Sequence, residues 1–410
     1  MKVAYCSLLL PEEKNLAKRT KGRLFGVSTH KVTKATIIGL DKNIGRPVDI
    51  FNTINTLNYP KFPQIIFHNE QWNHSNFDDH IDYHIGYINL FGIKYITQYL
   101  SIKKALNKWV RNTNNESVMI CVHHIFLPAM LAAVKVARKH NNVRLCLNTG
   151  DVPGAHGLKS QCKMVIKQYL IVNVIEKYIL KLAKEFNCFV FVTKDMAKAF
   201  NVEDKPYTVV ECTYVEPEYK IHKNSSPTNK KIIFYAGSLR KEYGIEHLLN
   251  SFSLISQKDY ELVLAGGGPG EDIVKEFSNK DPRIKYLGFI SPEEVAEWQS
   301  KSCVLISPRK SNLDYVRYSF PSKSVDCLAS GIPYIAHKLP CDPPEYSDYI
   351  LYPDDESDES LKNKIVEVCE LSDEDRNKIG EKSRAFILNK KNSTVMTKKV
   401  VDMWKSVLQC

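Results

Sequence analysis

Two serines, a lysine and an aspartate cluster at the start of a helix-like run in RYSFPSKSVDCLASGIPYIA (317–336). Pro321 suits a helix start, so Ser322 and Lys323 fall in the first turn, where free backbone N–H groups point out of the helix end. A lysine there opposes the helix dipole, which is sensible if an anion lies opposite. Asp326 follows one turn after Ser322, where its carboxylate can accept two sugar hydroxyls. The segment predicts a phosphate-and-ribose site; an ordinary helix start with a surface lysine is the alternative.

A glycine ends a strand-like run earlier in the same half, in IIFYAGSLRKEYGIEHLLNSF (232–252). Gly237 lets the backbone approach a ligand, and Ser238, Arg240 and Lys241 occupy the loop that follows. Backbone N–H groups and nearby cations suit a pyrophosphate. A plain tight turn explains this segment equally well, so both interpretations stay open.

Three consecutive glycines follow the next strand-like run, in ELVLAGGGPGED (261–272). Because three glycines exceed what a turn requires, Gly266 and Gly267 join the candidate site. The segment is neither a GxGxxG dinucleotide fingerprint nor a Walker A loop, since no GK[ST] follows. This argues against nicotinamide cofactors and ATP hydrolysis, and we expect no cofactor.

Parallel sheets are the elements that would bring these loops together. Short β-branched runs alternate with helical periodicity throughout, which predicts an α/β fold with helices on both sheet faces. The predicted strands are MKVAYC, ATIIGL, QIIFH, VMICVHH, RLCLNT, CFVFVT and TVVEC in the first half, and KIIFYAG, ELVLAGGG, RIKYLGF, SCVLIS and IPYIA in the second. A polar stretch, 216–230, separates the two series. The pattern predicts two doubly wound units joined near residue 220, with ligands beyond the carboxyl ends of their strands.

Three segments in order resemble the nucleotide-sugar domain of retaining glycosyltransferases of family four, which have the GT-B fold: YAGSLRKEYGIEHLL, LVLAGGGPGED and YSFPSKSVDCLASGIPYIA. The combination SPR…YSFPSK…D…ASGIP…LP…EY is similar to a subgroup associated with bacterial cell-surface and capsular polysaccharide synthesis. The resemblance covers residues 230–347 well and the first half loosely. It implies two Rossmann-like doubly wound domains facing across a cleft. Residues 1–215 would bind the acceptor and 216–391 the donor, and a helix at 392–410 would cross back to the first domain.

The resemblance also carries departures. The two acids of the family, eight positions apart, fall at Tyr318 and Asp326, so the ribose-binding acid is kept and the acid that touches the transferred sugar is replaced. The phosphate-binding Arg and Lys of the family fall at Ser238 and Tyr243, so both cations are missing. A pyrophosphate leaving group still needs compensating charge in a closed site. Lys323 is the first candidate to supply it, followed by Arg309 and Arg240.

The predicted donor-binding set therefore spans all three segments. It comprises Gly237, Ser238, Arg240, Lys241, Gly266, Gly267, Arg309, Tyr318, Ser319, Phe320, Ser322, Lys323 and Asp326. Lys323 is also predicted to act in catalysis.

In the first half, VMICVHHIFLPAMLAAV (118–134) ends a strand in two histidines. The resemblance places a histidine near the donor sugar here, and His123 aligns best by its distance to Pro128. A histidine pair at a strand end is otherwise more often structural. NTGDVPGAHG (148–157) ends the following strand with Asp151, which would bind the acceptor and orient a histidine, or merely cap a turn. His123 and Asp151 join Lys323 as predicted catalytic residues.

The resemblance implies a front-face displacement with retention at the anomeric carbon, in which a leaving phosphate oxygen helps deprotonate the acceptor hydroxyl. No protein nucleophile is required, and no DxD motif at a strand end suggests a metal. We expect a nucleotide-diphosphate sugar, UDP-linked, as donor and a glycan or lipid-linked acceptor. A GT-B nucleotide-sugar epimerase and a non-catalytic sugar-nucleotide-binding partner of another transferase are the alternatives.

The net charge of +11 belongs to the first half. Residues 1–215 hold 29 of the 57 basic and 16 of the 46 acidic residues, which gives this half +13. Two lysine-bearing helical segments, 93–112 and 164–186, suggest contact with an anionic inner membrane face; packing on a sheet is the alternative. No nucleic-acid-binding motif is present. Eleven cysteines without CxxC spacing, and no signal-like or membrane-spanning run, predict a cytoplasmic protein.

Overall fold

The computed structural model describes residues 1–7, 9, 27–54, 56–75, 77, 79–153, 166–216 and 230–409, with the backbone alone for 27–29 and 166–171. The chain divides into two compact units, the first comprising Met1–Thr213 with Ser393–Cys410 and the second comprising Tyr214–Asn392. Residues 217–229 of the predicted polar linker and 154–157 of the predicted acceptor loop lie outside the described residues.

The first unit is built on a mostly parallel sheet. Its strands are β1 (Lys2–Ser7), β2 (Asp49–Asn52), β4 (Glu70–Trp72), β5 (Asp82–His84), β7 (Val118–His123), β8 (Val143–Thr149), β9 (Cys188–Phe191) and β10 (Tyr207–Val209). Their order is β10-β9-β8-β7-β1-β2-β5-β4, and β4 is antiparallel to β5 while the other pairings are parallel. A separate antiparallel pair joins β3 (Ile66–Phe67) to β6 (Tyr87–Ile88).

Helices flank this sheet. They are α1 (Val27–Ile44), α2 (Lys94–Arg111), α3 (Leu127–Ala137), α4 (Ile166–Ala183), α5 (Asp195–Phe200) and α12 (Ser393–Gln409). The last helix belongs to the first unit because it packs on α1 and the sheet. The Asn43 Nδ2 atom donates to the Thr394 carbonyl at 2.7 Å and to the Thr397 hydroxyl at 2.9 Å, and Trp404 is fully buried in the core that Tyr5 also joins.

One predicted strand of the first half is wrong. ATIIGL lies inside α1 rather than in the sheet. The buried positions of this helix include Thr33, Thr36, Ile37 and Leu40, which recur at three- and four-residue spacing and so form a helical stripe. A short apolar run cannot by itself be told from a buried helix segment, and here the longer periodicity decides.

The second unit has an entirely parallel sheet of five strands, formed by the five runs predicted from the sequence. They are β11 (Lys231–Ala236), β12 (Tyr260–Ala265), β13 (Ile284–Tyr286), β14 (Val304–Ser307) and β15 (Tyr334–Ala336). The order is β13-β12-β11-β14-β15, so successive strands run outward from β11 on one side and then on the other. The chain adds strands on one side of β11 up to β13 and then on the other side from β14 onward. The carboxyl ends of β11 and β14 are therefore the topological switch point, where ligands bind in open α/β sheets.

Helices cover the second sheet and seal its apolar residues. They are α6 (Ile245–Ser253), α7 (Glu271–Lys280), α8 (Pro292–Lys301), α9 (Ser322–Ala329), α10 (Asp358–Glu370) and α11 (Asp373–Lys390). All six residues of β12 are buried, as expected for a strand in a sheet covered on both faces. Among the described residues, no helix is both long enough and apolar enough to cross a membrane.

Candidate active site

Lys323 reaches the switch point of the second sheet from the first turn of α9. Its ammonium donates to the carbonyl of Ala236, the last residue of β11, at 2.9 Å, and lies 5.8 Å from the centroid of the Tyr235 ring. Loss of hydration lowers the pKa of Lys323 below its ordinary value, while Cys327 and Asp326 act in the opposite direction. The Lys323 side chain as a whole is exposed. One carbonyl therefore holds the ammonium in place while the side chain stays accessible to a ligand.

Gly237 is the reason that this lysine fits. A Cβ at this position would lie 2.2 Å from the Lys323 Nζ atom and 2.7 Å from the Tyr235 hydroxyl oxygen, both shorter than real Cβ contacts. The Tyr235 hydroxyl in turn donates to the Ser238 carbonyl at 2.8 Å. The glycine therefore opens room for a cation at the strand end.

The run of glycines after β12 serves the packing of two turns. Gly266 has a φ of 123°, and a Cβ there would lie 1.8 Å from the Gly237 carbonyl oxygen. Backbone hydrogen bonds join the two turns, from Gly237 N to Ala265 O at 2.8 Å and from Leu239 N to Gly267 O at 3.0 Å. The glycines thus let the loops after β11 and β12 pack backbone against backbone, and this contact holds both loops in place beneath the candidate site.

Arg309 supplies a second cation, two residues after β14. Its side chain is 6% exposed, its Nη1 atom donates to the Ser319 carbonyl at 3.3 Å, and its guanidinium carbon lies 4.8 Å from the Tyr315 ring centroid and 5.7 Å from that of Tyr243. Its Nε and Nη2 atoms are buried and lack a hydrogen-bond partner among the described residues. An unpaired buried donor on a charged group is costly, so this arrangement favours an anionic ligand.

The residues between Arg309 and α9 have different surroundings. Tyr318 ends a 3-10 helix, Asp314–Tyr318, and is half-buried. The carbonyl of Ser319 accepts from Arg309 and, at 3.5 Å, from the Cys341 thiol. Phe320 is 7% exposed and its ring lies 5.3 Å from that of Tyr346, so Phe320 belongs to the core and offers a ligand only its backbone.

The polar residues of α9 lie at its first turn and a half. Ser322 is the first helical residue after Pro321, and both Ser322 and Asp326 are half-buried. Asp326 follows Lys323 by three residues in α9, and its carboxylate opposes the lowering of the Lys323 pKa. A carboxylate and an ammonium at this helix start can hold hydroxyl groups and a phosphate.

The cations of the loop after β11 are less central. Arg240 is half-buried and precedes a 3-10 helix, Lys241–Tyr243. Lys241 is exposed and pairs with Glu246 at 3.3 Å. An exposed ion pair contributes little, so Lys323 and Arg309 are the stronger candidates of the predicted set.

Several residues near the switch point escaped the prediction. Tyr235 and Tyr315 flank Lys323 and Arg309, and Phe289 is 84% exposed with its ring beside Gly267. Burial raises the pKa of the Asp342 carboxyl to about 6, with Arg309 opposing the shift. An aromatic residue directly after a strand-ending glycine, as in LGF, was the available sequence signal for Phe289.

His123 ends β7 at the carboxyl edge of the first sheet. Its Nδ1 atom shares a hydrogen bond of 2.7 Å with the Tyr5 hydroxyl, which accepts from Asn148 Nδ2 at 3.1 Å. Burial, together with His124, lowers the pKa of His123 well below its usual value, so the ring is neutral. When Tyr5 donates its proton to Nδ1, the proton of the neutral His123 ring lies on Nε2.

Asp151 lies beside the second histidine of the pair, His124. The His124 Nδ1 atom is 3.9 Å from an Asp151 carboxylate oxygen, and the Asp151 side chain is 62% exposed. His124 has a φ of 65°, and its backbone N–H donates to the Asn148 carbonyl at 2.7 Å. The aspartate therefore has room to meet a ligand, and the histidine that it faces is His124.

Comparison with known proteins extends these observations. Residues 218–386, which lie within the second unit, match the family "Glycosyl transferases group 1". No curated protein matches the chain in sequence.

Solved structures share the fold of the entire chain. Sucrose-phosphate synthase from Thermosynechococcus elongatus is similar with a TM-score of 0.64 at 14% identity, over 100% of this chain and 99% of that one. The catalytic domain of starch synthase IV from Arabidopsis thaliana bound to ADP and acarbose gives 0.62 at 10% identity, over 100% and 99%. An E. coli trehalose-6-phosphate protein bound with UDP-2-fluoro glucose gives 0.63 at 11% identity, over 100% and 99%. The predicted α/β fold is confirmed: the chain shares the GT-B fold of glycosyltransferases, and its residues 218–386 match the group 1 glycosyl transferases.

Proposed function

We propose that this chain is a retaining glycosyltransferase that moves a sugar from a nucleotide-diphosphate donor, UDP-linked, to a glycan or lipid-linked acceptor in cell-surface polysaccharide synthesis. One observation carries the proposal. Lys323 and Arg309 converge on the switch point of the second sheet, where Arg309 is buried with two nitrogens unpartnered. The match of residues 218–386 to group 1 glycosyl transferases supports it, and two similar structures hold ADP or UDP-2-fluoro glucose.

Within this proposal the two cations neutralise the diphosphate. Lys323 offers an ammonium whose hydration is already reduced, so the attraction between this cation and a phosphate is stronger than it would be in water. Arg309 presents a planar guanidinium with unused donors, which suits phosphate oxygens. Asp326 accepts the ribose hydroxyls next to Lys323.

The chemical step then needs no protein nucleophile and no metal. The bond between the anomeric carbon and the phosphate oxygen breaks while the acceptor oxygen attacks from the same face, and the departing phosphate oxygen takes the acceptor proton. Negative charge grows on the diphosphate as this bond breaks. Stabilising that charge with fixed cations lowers the barrier, and each tenfold in rate corresponds to about 1.4 kcal/mol.

The first unit would bind the acceptor. His123 is neutral and, with Tyr5 on its Nδ1 atom, can donate from Nε2 to a sugar oxygen. Asp151 is exposed and can accept a hydroxyl proton or orient His124. Both roles consist of holding hydroxyl groups, which is what the transfer requires of the acceptor side.

Peripheral membrane binding at the cytoplasmic face is part of this proposal. The exposed side of α2 and the turn before it is apolar at one end, through Phe91, Tyr95, Ile96 and Leu100, and basic at the other, through Lys104, Lys108 and Arg111. Such a side suits an interface with anionic lipid. Sedimentation with anionic and with neutral vesicles, at low and high salt, tests it: failure to bind anionic vesicles at low salt contradicts this part.

The experiment for the activity starts from the purified chain and a panel of UDP-, GDP-, CMP- and TDP-sugars. We expect a UDP-sugar to raise the melting temperature with the logarithm of its concentration. Nucleotide release should then require a glycan acceptor, and the product should keep the anomeric configuration of the donor.

Three other outcomes would contradict the proposal. An altered sugar from donor alone would indicate an epimerase, and binding without release would indicate a non-catalytic partner, which the missing family cations at Ser238 and Tyr243 motivate. A chain that no sugar nucleotide stabilises would be neither a transferase nor an epimerase nor a sugar-nucleotide-binding partner.

A further inference from the structure

A cluster of ionisable side chains lies at the other edge of the first sheet, where the β4–β5 hairpin meets β2. The ligand atoms of His74, His80 and Asp82 all lie within 4.8 Å of one another, and the three side chains are 9%, 7% and 0% exposed. Asp82 opens β5 and Asp49 opens β2, so the cluster occupies the amino ends of these strands. His123 ends β7 at the carboxyl edge, so the cluster belongs to neither predicted site.

Asp82 is the common partner of both histidines. Its Oδ2 atom lies 2.7 Å from His74 Nδ1, and its Oδ1 atom lies 2.9 Å from His80 Nε2. The backbone N–H groups of Ile50 and His74 donate to the same carboxylate at 3.0 and 2.8 Å. These bonds fix the carboxylate between the two rings, which gives the cluster a preset geometry.

Each histidine has a second carboxylate on its other ring nitrogen. His74 Nε2 lies 2.9 Å from an Asp41 oxygen, and His80 Nδ1 lies 3.8 Å from an Asp49 oxygen. Asp41 and Asp49 are themselves held by donors, from the Val48 backbone N–H at 2.8 Å and the Trp109 indole at 2.9 Å. A histidine with one nitrogen facing a shared centre and the other facing a carboxylate is the arrangement by which proteins orient metal-binding imidazoles.

We propose that His74, His80 and Asp82 bind one divalent transition-metal ion, Zn²⁺, through His74 Nδ1, His80 Nε2 and an Asp82 oxygen. Two imidazoles and a carboxylate are a known set of zinc ligands, with a water completing four-coordination. Asp41 hydrogen-bonds the His74 ring, and Asp49 faces the His80 ring. All three ligands lie in the β4–β5 hairpin, so the ion would close the turn of that hairpin. It is separate from the transfer chemistry, for which no metal is expected.

The alternative explanation is that the cluster is a hydrogen-bond network held together by protons, without a metal ion. Burial lowers the pKa of His74, but the hydrogen bonds to Asp41 and Asp82 outweigh it and raise the pKa to about 9, so an imidazolium can also bridge the two carboxylates. The two explanations differ in what the cluster does when zinc is offered: a proton network has no specific affinity for the ion, whereas a zinc site binds one equivalent.

The test uses the untagged full chain, stripped with a chelator and dialysed, and titrated with Zn²⁺ in competition with a chromogenic chelator. We expect one equivalent to bind and to raise the melting temperature. His80→Asn should weaken this binding at least 100-fold. The matched control, His68→Asn, changes an exposed histidine in the same region and should bind as the wild type does.

A second variant keeps the test decisive if His80→Asn does not fold. Asp41→Asn retains all three ligands and loses the carboxylate that hydrogen-bonds His74 Nε2, so its affinity should fall about 10- to 100-fold. Wild-type protein that binds no zinc, or His80→Asn and Asp41→Asn proteins that bind it as tightly as the wild type, would overturn the proposal and leave a proton network in its place.

Discussion

The carboxyl edges of the two sheets carry opposite kinds of chemistry. In the second unit, Lys323 and Arg309 place two positive charges at the switch point, one of them buried with unused donors. In the first unit, burial keeps His123 neutral, and His123 shares a hydrogen bond with Tyr5, which accepts one from Asn148. Similar strand–turn–helix frames thus present charge in one case and oriented neutral hydrogen-bonding groups in the other. The difference fits the proposed division, in which the second unit neutralises a diphosphate and the first unit positions hydroxyl groups.

The largest expected effect comes from removing the central charge. Lys323→Ala should lower turnover at least 100-fold, about 2.7 kcal/mol in the barrier, because the growing charge on the leaving group loses its compensation. Single-turnover kinetics with saturating donor measures it, and circular dichroism checks the fold. Lys280→Ala, which removes an exposed lysine paired with Glu276, is the control and should leave the rate unchanged. Nearly wild-type rates in the Lys323 variant would show that the charge of Lys323 does not contribute to turnover.

A second histidine pair sharpens the contrast by pH. His337 follows β15, its Nε2 atom lies 2.9 Å from that of His247, and His247 also hydrogen-bonds Asp358. Burial, then the neighbouring His247, lowers the pKa of His337 from 6.5 to about 4. Between pH 6.5 and about pH 4, His337 therefore binds a proton in the unfolded chain but not in the folded chain. The stability of the folded state that depends on neutral His337 is present above pH 6.5 and is lost as the pH falls towards 4.

Between pH 7 and pH 5, the free energy of unfolding should fall by about 2 kcal/mol from this group. His337→Gln should remove that part of the pH dependence. Urea unfolding of both proteins at the two pH values measures it. Parallel pH dependence in the wild type and the variant would show that the second unit does not hold this histidine neutral.

Arg309→Gln separates binding from stability. The amide keeps much of the side chain's length and loses the charge, so donor affinity should fall at least tenfold, about 1.4 kcal/mol. The free protein should be no less stable, because the wild type buries donors that lack partners. Arg317→Gln, at an exposed neighbouring arginine, is the control. A lower melting temperature with unchanged donor affinity would instead assign Arg309 to stacking on Tyr315.

The smallest effect concerns the neutral edge. Tyr5→Phe removes the hydroxyl that bonds His123 and should cost about 1 kcal/mol of stability. Turnover should fall less than tenfold, because His123 keeps its place but not its fixed tautomer. Tyr207→Phe, at a residue 40% exposed, is the control for both measurements. A loss of turnover as large as that of Lys323→Ala would mean that His123 does more than orient a hydroxyl.

The second unit was the more predictable part of the chain. Its five strands are continuous apolar runs between helical segments, so their positions and parallel arrangement follow from composition and period. In the first unit, the apolar run at Ala35–Leu40 joined a helix instead. That run is short, and only the wider stripe from Thr33 onward reveals the helical period.

Contacts between distant residues were beyond such reasoning. Lys323 bonds to a carbonyl 87 positions away, and His74 meets an aspartate 33 positions away on another element. Neither pairing leaves a local trace in the sequence. The glycines were recognised as unusual, but their reason, the backbone contact between Gly237 and Gly266, needed the register of β11 beside β12.

By itself, the sequence determined which residues can form strands and helices and which chemical groups follow them, because periodicity and turn chemistry act over a few neighbouring residues. Only the tertiary structure decided which of those groups meet. Strand order brought Lys323 and Arg309 to one switch point, burial made His123 neutral, and an edge hairpin gathered His74, His80 and Asp82. Charge, hydration and ligand geometry all depend on neighbours that folding brings near, and so they are set by contacts that no single segment contains.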